Sequence, residues 1–279
     1  MSNLFITGVS SGIGLHATQF LLKKGYKVFG SIRKKQDAVR MSKQLGDAFI
    51  PVLMDVTKED SIQQAFEFIQ NKLAGKSLDA LINNAGIAAF GPILHLPMEK
   101  VRQQFDVNVI GLIQVTQTFL PLLGASKGFK GKPGRIINIS SVSGRISTPF
   151  LAVYSASKFA VEALSDGLRR ELSIYNIPSI SIQPGPIKTN IWNKTRGQEE
   201  PYLDTDYGDI LKDMNDELGK IEGGALPPEK VSQTIYKALT SRRPKAHYMV
   251  AKNAGFMRLI ANLAPASLLD KETTKRFKK

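Results

Sequence analysis

The chain has 279 residues, 42% hydrophobic and 22% charged, enough to bury a sizeable core and at the upper end of what one domain spans. It holds no cysteine, which excludes disulfides, thiolate nucleophiles, cysteine-bound zinc and iron–sulfur clusters. Its 38 Lys and Arg against 24 Asp and Glu leave a formal charge of +14, but the excess is dispersed, as at Lys23, Lys24, Lys34 and Lys35, or gathered in 271–279. Without aromatic interleaving or a recognition-helix pattern, that charge reads as solvated surface, and no nucleic-acid partner is expected.

Short apolar or β-branched runs alternate with segments of helical period along the chain. Strands are expected at 3–7, 26–32, 48–54, 80–83, 135–140, 179–183 and 246–250, and helices at 13–24, 36–45, 61–73, 98–122, 153–175 and 228–240. That alternation marks an α/β fold, a single doubly wound parallel sheet of about seven strands with helices on both faces. The chain enters an apolar strand at Asn3 with no charged leader, and its apolar runs look far shorter than a membrane span, so a cytoplasmic location is expected.

Two helices exceed what the sheet needs. Val101, Phe105, Leu112 and Phe119 form an apolar stripe on the first, and Phe159, Leu164, Leu168 and Leu172 on the second. Val109, Ala160 and Ala163 offer a second face to a partner subunit, pointing to a homodimer or homotetramer. Residues 187–226, rich in Asp, Glu, Gly and Lys, form a connection of the length of a functional lid or a disordered insertion, and read as a substrate lid. In the extension 256–279 an apolar stretch precedes a basic end; packing on a partner subunit is preferred to peripheral contact with an acidic lipid surface.

The first strand runs straight into Thr7-Gly8-Val9-Ser10-Ser11-Gly12-Ile13-Gly14, with a helix after it. Glycines here let the backbone approach a pyrophosphate whose charge meets free N–H groups at a helix N-terminus. The same residues also read as G-x-S-x-G, the nucleophile elbow of an α/β-hydrolase built on Ser10. That rival needs a later aspartate and histidine, only His95 and His247 follow, and an elbow normally comes after several strands. The dinucleotide reading is preferred.

At the end of the second strand, Gly30-Ser31-Ile32-Arg33-Lys34 lacks the carboxylate that would hold a ribose 2′-hydroxyl. Ser31 and Arg33 suit a 2′-phosphate instead, so NADP(H) is preferred, with NAD(H) second. Tyr154 and Lys158, four apart, project from one helical face. An ammonium beside a phenol stabilises the phenolate, fitting Tyr154 to exchange a proton with an alcohol or carbonyl as hydride moves.

Together these motifs resemble the short-chain dehydrogenase/reductase family from Leu4 to Thr189, in order and at family-like spacing. The resemblance implies one Rossmann-type domain over 1–279. It makes Gly8, Ser10, Ser11, Gly12, Ile13 and Gly14 the phosphate loop, Asp55 and Val56 the adenine contact, and Asn83, Ala85 and Gly86 part of the NNAG motif stabilising the sheet beside the cofactor. Asn108 would hold a relay water for Lys158, Ser141 would bond the substrate oxygen, and Lys158 would bind the nicotinamide ribose. Pro184, Gly185, Ile187 and Thr189 would meet the carboxamide and phosphates. The stretch Val28-Phe29-Gly30-Ser31-Ile32-Arg33 is similar to members acting on retinoids and hydroxysteroids.

Candidate pocket walls are Phe90, Phe150 and Trp192, suggesting a bulky apolar alcohol or ketone, although Phe150 and Trp192 read equally as core. His16, His95 and His247 are too scattered for a metal centre. A non-catalytic dinucleotide sensor on this fold is the remaining alternative, and it would tend to lose the Tyr154–Lys158 pair.

Overall fold

The computed structural model describes residues 2–189, 197–213 and 223–274; Trp192 lies outside them. Among the described residues seven strands form one sheet: β1 (Asn3–Ile6), β2 (Lys27–Ile32), β3 (Phe49–Leu53), β4 (Ala80–Asn83), β5 (Arg135–Ile139), β6 (Ser179–Pro184) and β7 (His247–Val250). Every pairing is parallel and the order is β3-β2-β1-β4-β5-β6-β7. Chain direction across the sheet reverses between β1 and β4, so the loops leaving those strands part and open a crevice at their carboxyl ends.

Helices α1 (Gly12–Lys23), α2 (Lys35–Leu45), α3 (Glu59–Leu73), α4 (Met98–Phe105), α5 (Gly111–Phe119), α6 (Ala152–Glu171) and α7 (Pro228–Thr240) cover both faces. Alternation along β1 shows why: Leu4 and Ile6 join one core with Leu21 of α1 and Ile235 of α7, whereas Phe5 joins the other with Ile69 of α3 and Phe119 of α5. Two further helices, α8 (Ala254–Leu263) and α9 (Ala266–Thr274), occupy the expected apolar and basic extension, with Phe256, Leu259, Leu263 and Leu268 exposed.

Two expectations are corrected. The stretch Met98–Leu123 is long and apolar enough by composition to cross a membrane, contrary to the reading of the sequence. Here it is a core helix, its Leu112, Val115 and Phe119 buried, and it is broken by a π-turn at Asp106–Ile110. On α6 the expected apolar stripe holds only at its far end: Leu172 is buried and Leu168 packs on the second core, but Phe159 is 45% exposed, while Ser155, Ser157, Lys158, Glu162 and Ser165 are buried. Of the positions expected to meet a partner, Val109 is buried, Ala160 half-buried and Ala163 exposed.

The two ends of the segment 187–226 meet. Ile187 pairs with Leu226, the Lys188 amide donates to Leu226 O at 2.8 Å, and the Leu226 amide donates to Pro186 O at 2.9 Å. A third, small core forms from Phe90, Leu96, Phe150, Val153, Tyr202 and Leu211.

Candidate active site

The first turn after β1 is fixed from three sides. Thr7 Oγ1 accepts the amides of Asn84 and Ala85 at 2.9 Å each, and Asn84 Nδ2 donates to Thr7 O at 2.9 Å and Gly8 O at 3.0 Å. The Gly8 amide donates to Ser31 Oγ at 3.0 Å. Gly8 has φ +70°, and a Cβ there would stand 2.9 Å from Ala85 Cα; one at Gly14 would run into Asn84 Nδ2 and Gly8 O. Only glycine satisfies both positions.

Ser11 caps α1 in an extended conformation, so the amides of Gly12, Ile13 and Gly14 have no helical carbonyl to bond and Leu15 is the first to reach back, to Ser11 O at 3.3 Å. Ser10, Ser11, Gly12 and Ile13 stay partly exposed beside this end. Thr189 lies across from it, its Cβ 3.8 Å from where a Gly12 Cβ would be. A backbone cradle at a positive helix end, kept open by missing side chains, fits the diphosphate of a dinucleotide. Ile187 is buried next to Thr189, and behind them the Gly185 amide donates to Val250 O at 2.9 Å, continuing from the buried Pro184.

At the far end of the crevice Ser31 is 2% exposed, and its Oγ accepts the Gly8 amide, propping the loop. Arg33 is exposed at the end of β2, and its charge acts on Asp55. Burial pushes the Asp55 carboxyl up, but bonds from Thr57 N at 3.0 Å and Thr57 Oγ1 at 2.8 Å, with Arg33 and Lys58 nearby, leave it below its ordinary value. Val56 is buried against Gly111.

Asn83 does what the motif implies for the sheet. It is 4% exposed and donates through Nδ2 to Thr116 Oγ1 and Asn138 Oδ1, both at 2.9 Å, tying β4 to β5 and α5. Asn108 sits in the π-turn. Its Nδ2 donates to Ile87 O at 3.0 Å and Ser157 Oγ at 3.1 Å, and its Oδ1 accepts the Ile87 amide at 2.9 Å. Gln104, one turn earlier and fully buried, repeats the clamp: Oε1 accepts the Ala89 amide at 2.7 Å and Nε2 donates to Ile87 O at 2.9 Å. A point beside Gly86, where its Cβ would be, is 3.3 Å from Asn108 Oδ1 and 3.7 Å from Lys158 Nζ, so the missing side chain leaves both polar atoms facing one space.

Lys158 is 6% exposed and its Nζ donates to Ile139 O at 2.8 Å, 5.8 Å from the centre of the Tyr154 ring. Burial pushes its pKa down to about 8, while Glu162 one turn on pulls it upward. Burial raises Tyr154 above its ordinary value, and the Ser141 hydroxyl, facing the phenol, works the other way. Ser141 is 8% exposed; its Oγ accepts the Ser143 amide at 3.0 Å and points at Pro184 O, 3.5 Å away. Ser141, Tyr154, Lys158, Gly86 and Asn108 are therefore brought together from β4, β5, α6 and the π-turn, at the carboxyl edge where the phosphate loop also lies.

Phe90 and Phe150 are interior to the third core, with ring centres 6.0 Å apart and Tyr207 5.7 Å from Phe150. Phe150 holds φ +63°, and its carbonyl accepts the Gly91 amide at 2.9 Å. The hydrolase reading loses its base: His95 stacks edge-on with Tyr207, and His247 faces Glu162 and Asp166. Reading for apolar stripes and family motifs passed over Gln104, Asn84 and Glu162. Gln104 stands four before Asn108 and Glu162 four after Lys158, spacings that put each on a face already marked as functional.

A switch-point crevice holding a phosphate cradle at one end and a phenol beside a buried ammonium at the other defines a dinucleotide-binding oxidoreductase. A family model for short chain dehydrogenases matches residues 2–200. The chain is 43% identical over 274 residues to an NADPH-dependent 3-dehydrocapnine reductase of Ornithobacterium rhinotracheale, covering 98% of this chain and 96% of that one. It is 32% identical to 17-beta-hydroxysteroid dehydrogenase type 6 of Bos taurus, over 99% and 89%. A short-chain dehydrogenase of Burkholderia cenocepacia solved with NADP shares the fold, with a TM-score of 0.74 at 24% identity over 98% and 97%. The chain belongs to the short-chain dehydrogenase/reductase family and is an NAD(P)-dependent oxidoreductase.

Proposed function

We propose that this chain is an NADPH-dependent reductase of a bulky, apolar ketone, with 3-dehydrocapnine as the first compound to test. The observation that carries the reading is the convergence of a half-buried Tyr154 with the buried Lys158 and Ser141. The 43% identity to a reductase named for that ketone and for NADPH supports it, as does the exposed Arg33 where a carboxylate would favour NAD. A third core of aromatic and aliphatic side chains beside Tyr154 favours an apolar substrate body.

The dinucleotide, held by the amides of Gly12, Ile13 and Gly14 and by Thr189, supplies the hydride when bound. The chain supplies the proton and the orientation. Tyr154, raised by burial, carries its phenol proton at neutral pH and donates it to the carbonyl oxygen, which Ser141 also holds through its hydroxyl. Lys158 is mostly charged at pH 7 and stabilises the phenolate left behind. A water in the space beside Gly86, between Asn108 Oδ1 and Lys158 Nζ, returns the proton; two polar partners facing one gap meet the requirement for such a water. Asn108 and Gln104 keep that gap by clamping Ile87 and Ala89. The reading includes a homo-oligomer, with Ile110 and Phe159, 47% and 45% exposed, as contact residues.

Oxidation of NADPH and NADH is to be followed with purified chain over 3-dehydrocapnine, keto-steroids, retinal and small polar ketones. The expected result is kcat/KM at least about tenfold higher with NADPH than with NADH, roughly 1.4 kcal/mol, and highest with an apolar ketone. Preference for NADH, or specificity for a small polyol, overturns it.

A further inference from the structure

One turn beyond Lys158 on α6, Glu162 is a carboxylate in the interior, 6% exposed. Ser181 and Gln183 of β6 donate to its two oxygens, Gln183 at 2.7 Å. From β7, His247 Nδ1 lies 3.1 Å from Oε2; from the turn after Ser141, Arg145 Nε lies 3.8 Å from the same oxygen. The Ser140 hydroxyl at the end of β5 also faces it. His247 Nε2 in turn reaches Asp166, one more turn along α6, at 3.2 Å. From α8, Arg258 lines a small cavity with Arg145, Gln183 and His247. Tyr154, Lys158, Glu162 and Asp166 thus follow one another at intervals of four along α6, a row of polar groups on a helix whose neighbours are the central strands.

Sheet packing alone would be met more cheaply by an apolar side chain, since a buried carboxylate is costly unless its partners are good. These partners are good enough that burial, which pushes the carboxyl up, is outweighed and Glu162 sits below its ordinary value, ionised at neutral pH. Its charge is the one that opposes the loss of the Lys158 proton.

We propose that Glu162 is the positioning residue of the catalytic pair: clamped by Ser181, Gln183, His247 and Arg145 one helical turn from Lys158, its carboxylate is a fixed negative charge behind the lysine ammonium. The proposal rests on Tyr154 and Lys158 being the catalytic pair. Without the carboxylate Lys158 loses its proton at lower pH, and Tyr154 loses its cationic neighbour with it.

The test is Glu162→Gln, which keeps the shape and removes the charge, beside Glu162→Asp, which keeps the charge and draws it back. In free enzyme labelled with ¹³Cε-lysine, and with the Lys158 signal assigned from Lys158→Met, the Lys158 titration falls by about one pH unit in Glu162→Gln and by less in Glu162→Asp. The alkaline limb of kcat moves down by the same amount, while NADPH affinity at pH 7 stays within about twofold. A folded Glu162→Gln protein whose Lys158 titrates as in the parent overturns the proposal. If Glu162→Gln does not fold, Glu162→Met, which also removes the charge, decides, an unmoved titration again overturning it. A shifted titration in a protein that reduces no ketone refutes the reductase reading and leaves this coupling standing.

Discussion

The two walls of the crevice are held by different means. The wall made from the ends of β1, β4, β5 and β6 is cross-tied by side-chain and backbone hydrogen bonds: Thr7 to Asn84 and Ala85, Asn84 to Gly8, Asn83 to Asn138, Asn108 and Gln104 to Ile87. The wall made from 197–213 packs through Tyr202 and Leu211 into the third core, the Phe90 amide donates across to Gln198 Oε1 at 3.2 Å, and among the described residues the buried Tyr202 hydroxyl has no hydrogen-bond partner. Directional bonds fix atoms to fractions of an ångström, as a shared dinucleotide and a proton transfer require, whereas apolar contacts are tolerant of shape. The first wall suits unvarying chemistry and the second suits choice of substrate.

The sharpest way to separate the walls is Tyr154→Phe, which removes one oxygen from the rigid side. Turnover is expected to fall by about 10³-fold with NADPH affinity intact, because only the proton donor is lost. Unchanged turnover would move the chemistry elsewhere. Gly14→Ala places a methyl against Asn84 Nδ2 and Gly8 O, and NADPH affinity by fluorescence titration is expected to drop about 10–100-fold, the cost of overpacking a site that has no room to yield.

On the tolerant side, Leu211→Ala empties a position 1% exposed in the third core. It is expected to raise the substrate KM by about tenfold, with NADPH affinity within about twofold of the parent. If cofactor affinity fell equally, the walls would not be separable.

The smallest effect is on stability. Because Lys158 is pushed down to about 8 from an unfolded value of 10.5, the folded state resists its protonation; this penalty is complete below pH 8 and fades as pH rises to 10.5. Lys158→Met, although inactive, is therefore expected to melt about 4 °C higher than the parent at pH 7, from a net gain of about 2 kcal/mol after loss of the Ile139 bond, with the gap closing at about pH 9.5 and reversed above it. A lower Tm at pH 7 would show that the lysine is not strained.

Strands, helices and motif order were largely legible because burial writes itself into the period of apolar residues. β4 and α7 fall at 80–83 and 228–240 as read, and most other strand and helix ends lie within two residues of expectation. The catalytic face of α6 was less so. Apolar period assigns Phe159 to a buried stripe, yet it is exposed, while Lys158 and Glu162 are buried because they find partners on β5, β6 and β7 far along the chain. Ser31 shows the same limit: its position at a strand end suits a phosphate, and only the fold reveals that it is buried and accepts the Gly8 amide.

What the sequence by itself determined was the doubly wound sheet, the turn that needs glycine and the pairing of Tyr154 with Lys158, all matters of local period and short spacing. The tertiary structure decided which polar side chains are interior, which hydroxyls are already bonded, and what charge stands behind the lysine. Those depend on partners 20 to 100 residues apart in the chain, as with Glu162 and His247, 85 residues apart, and no local pattern records which distant groups the sheet will bring together.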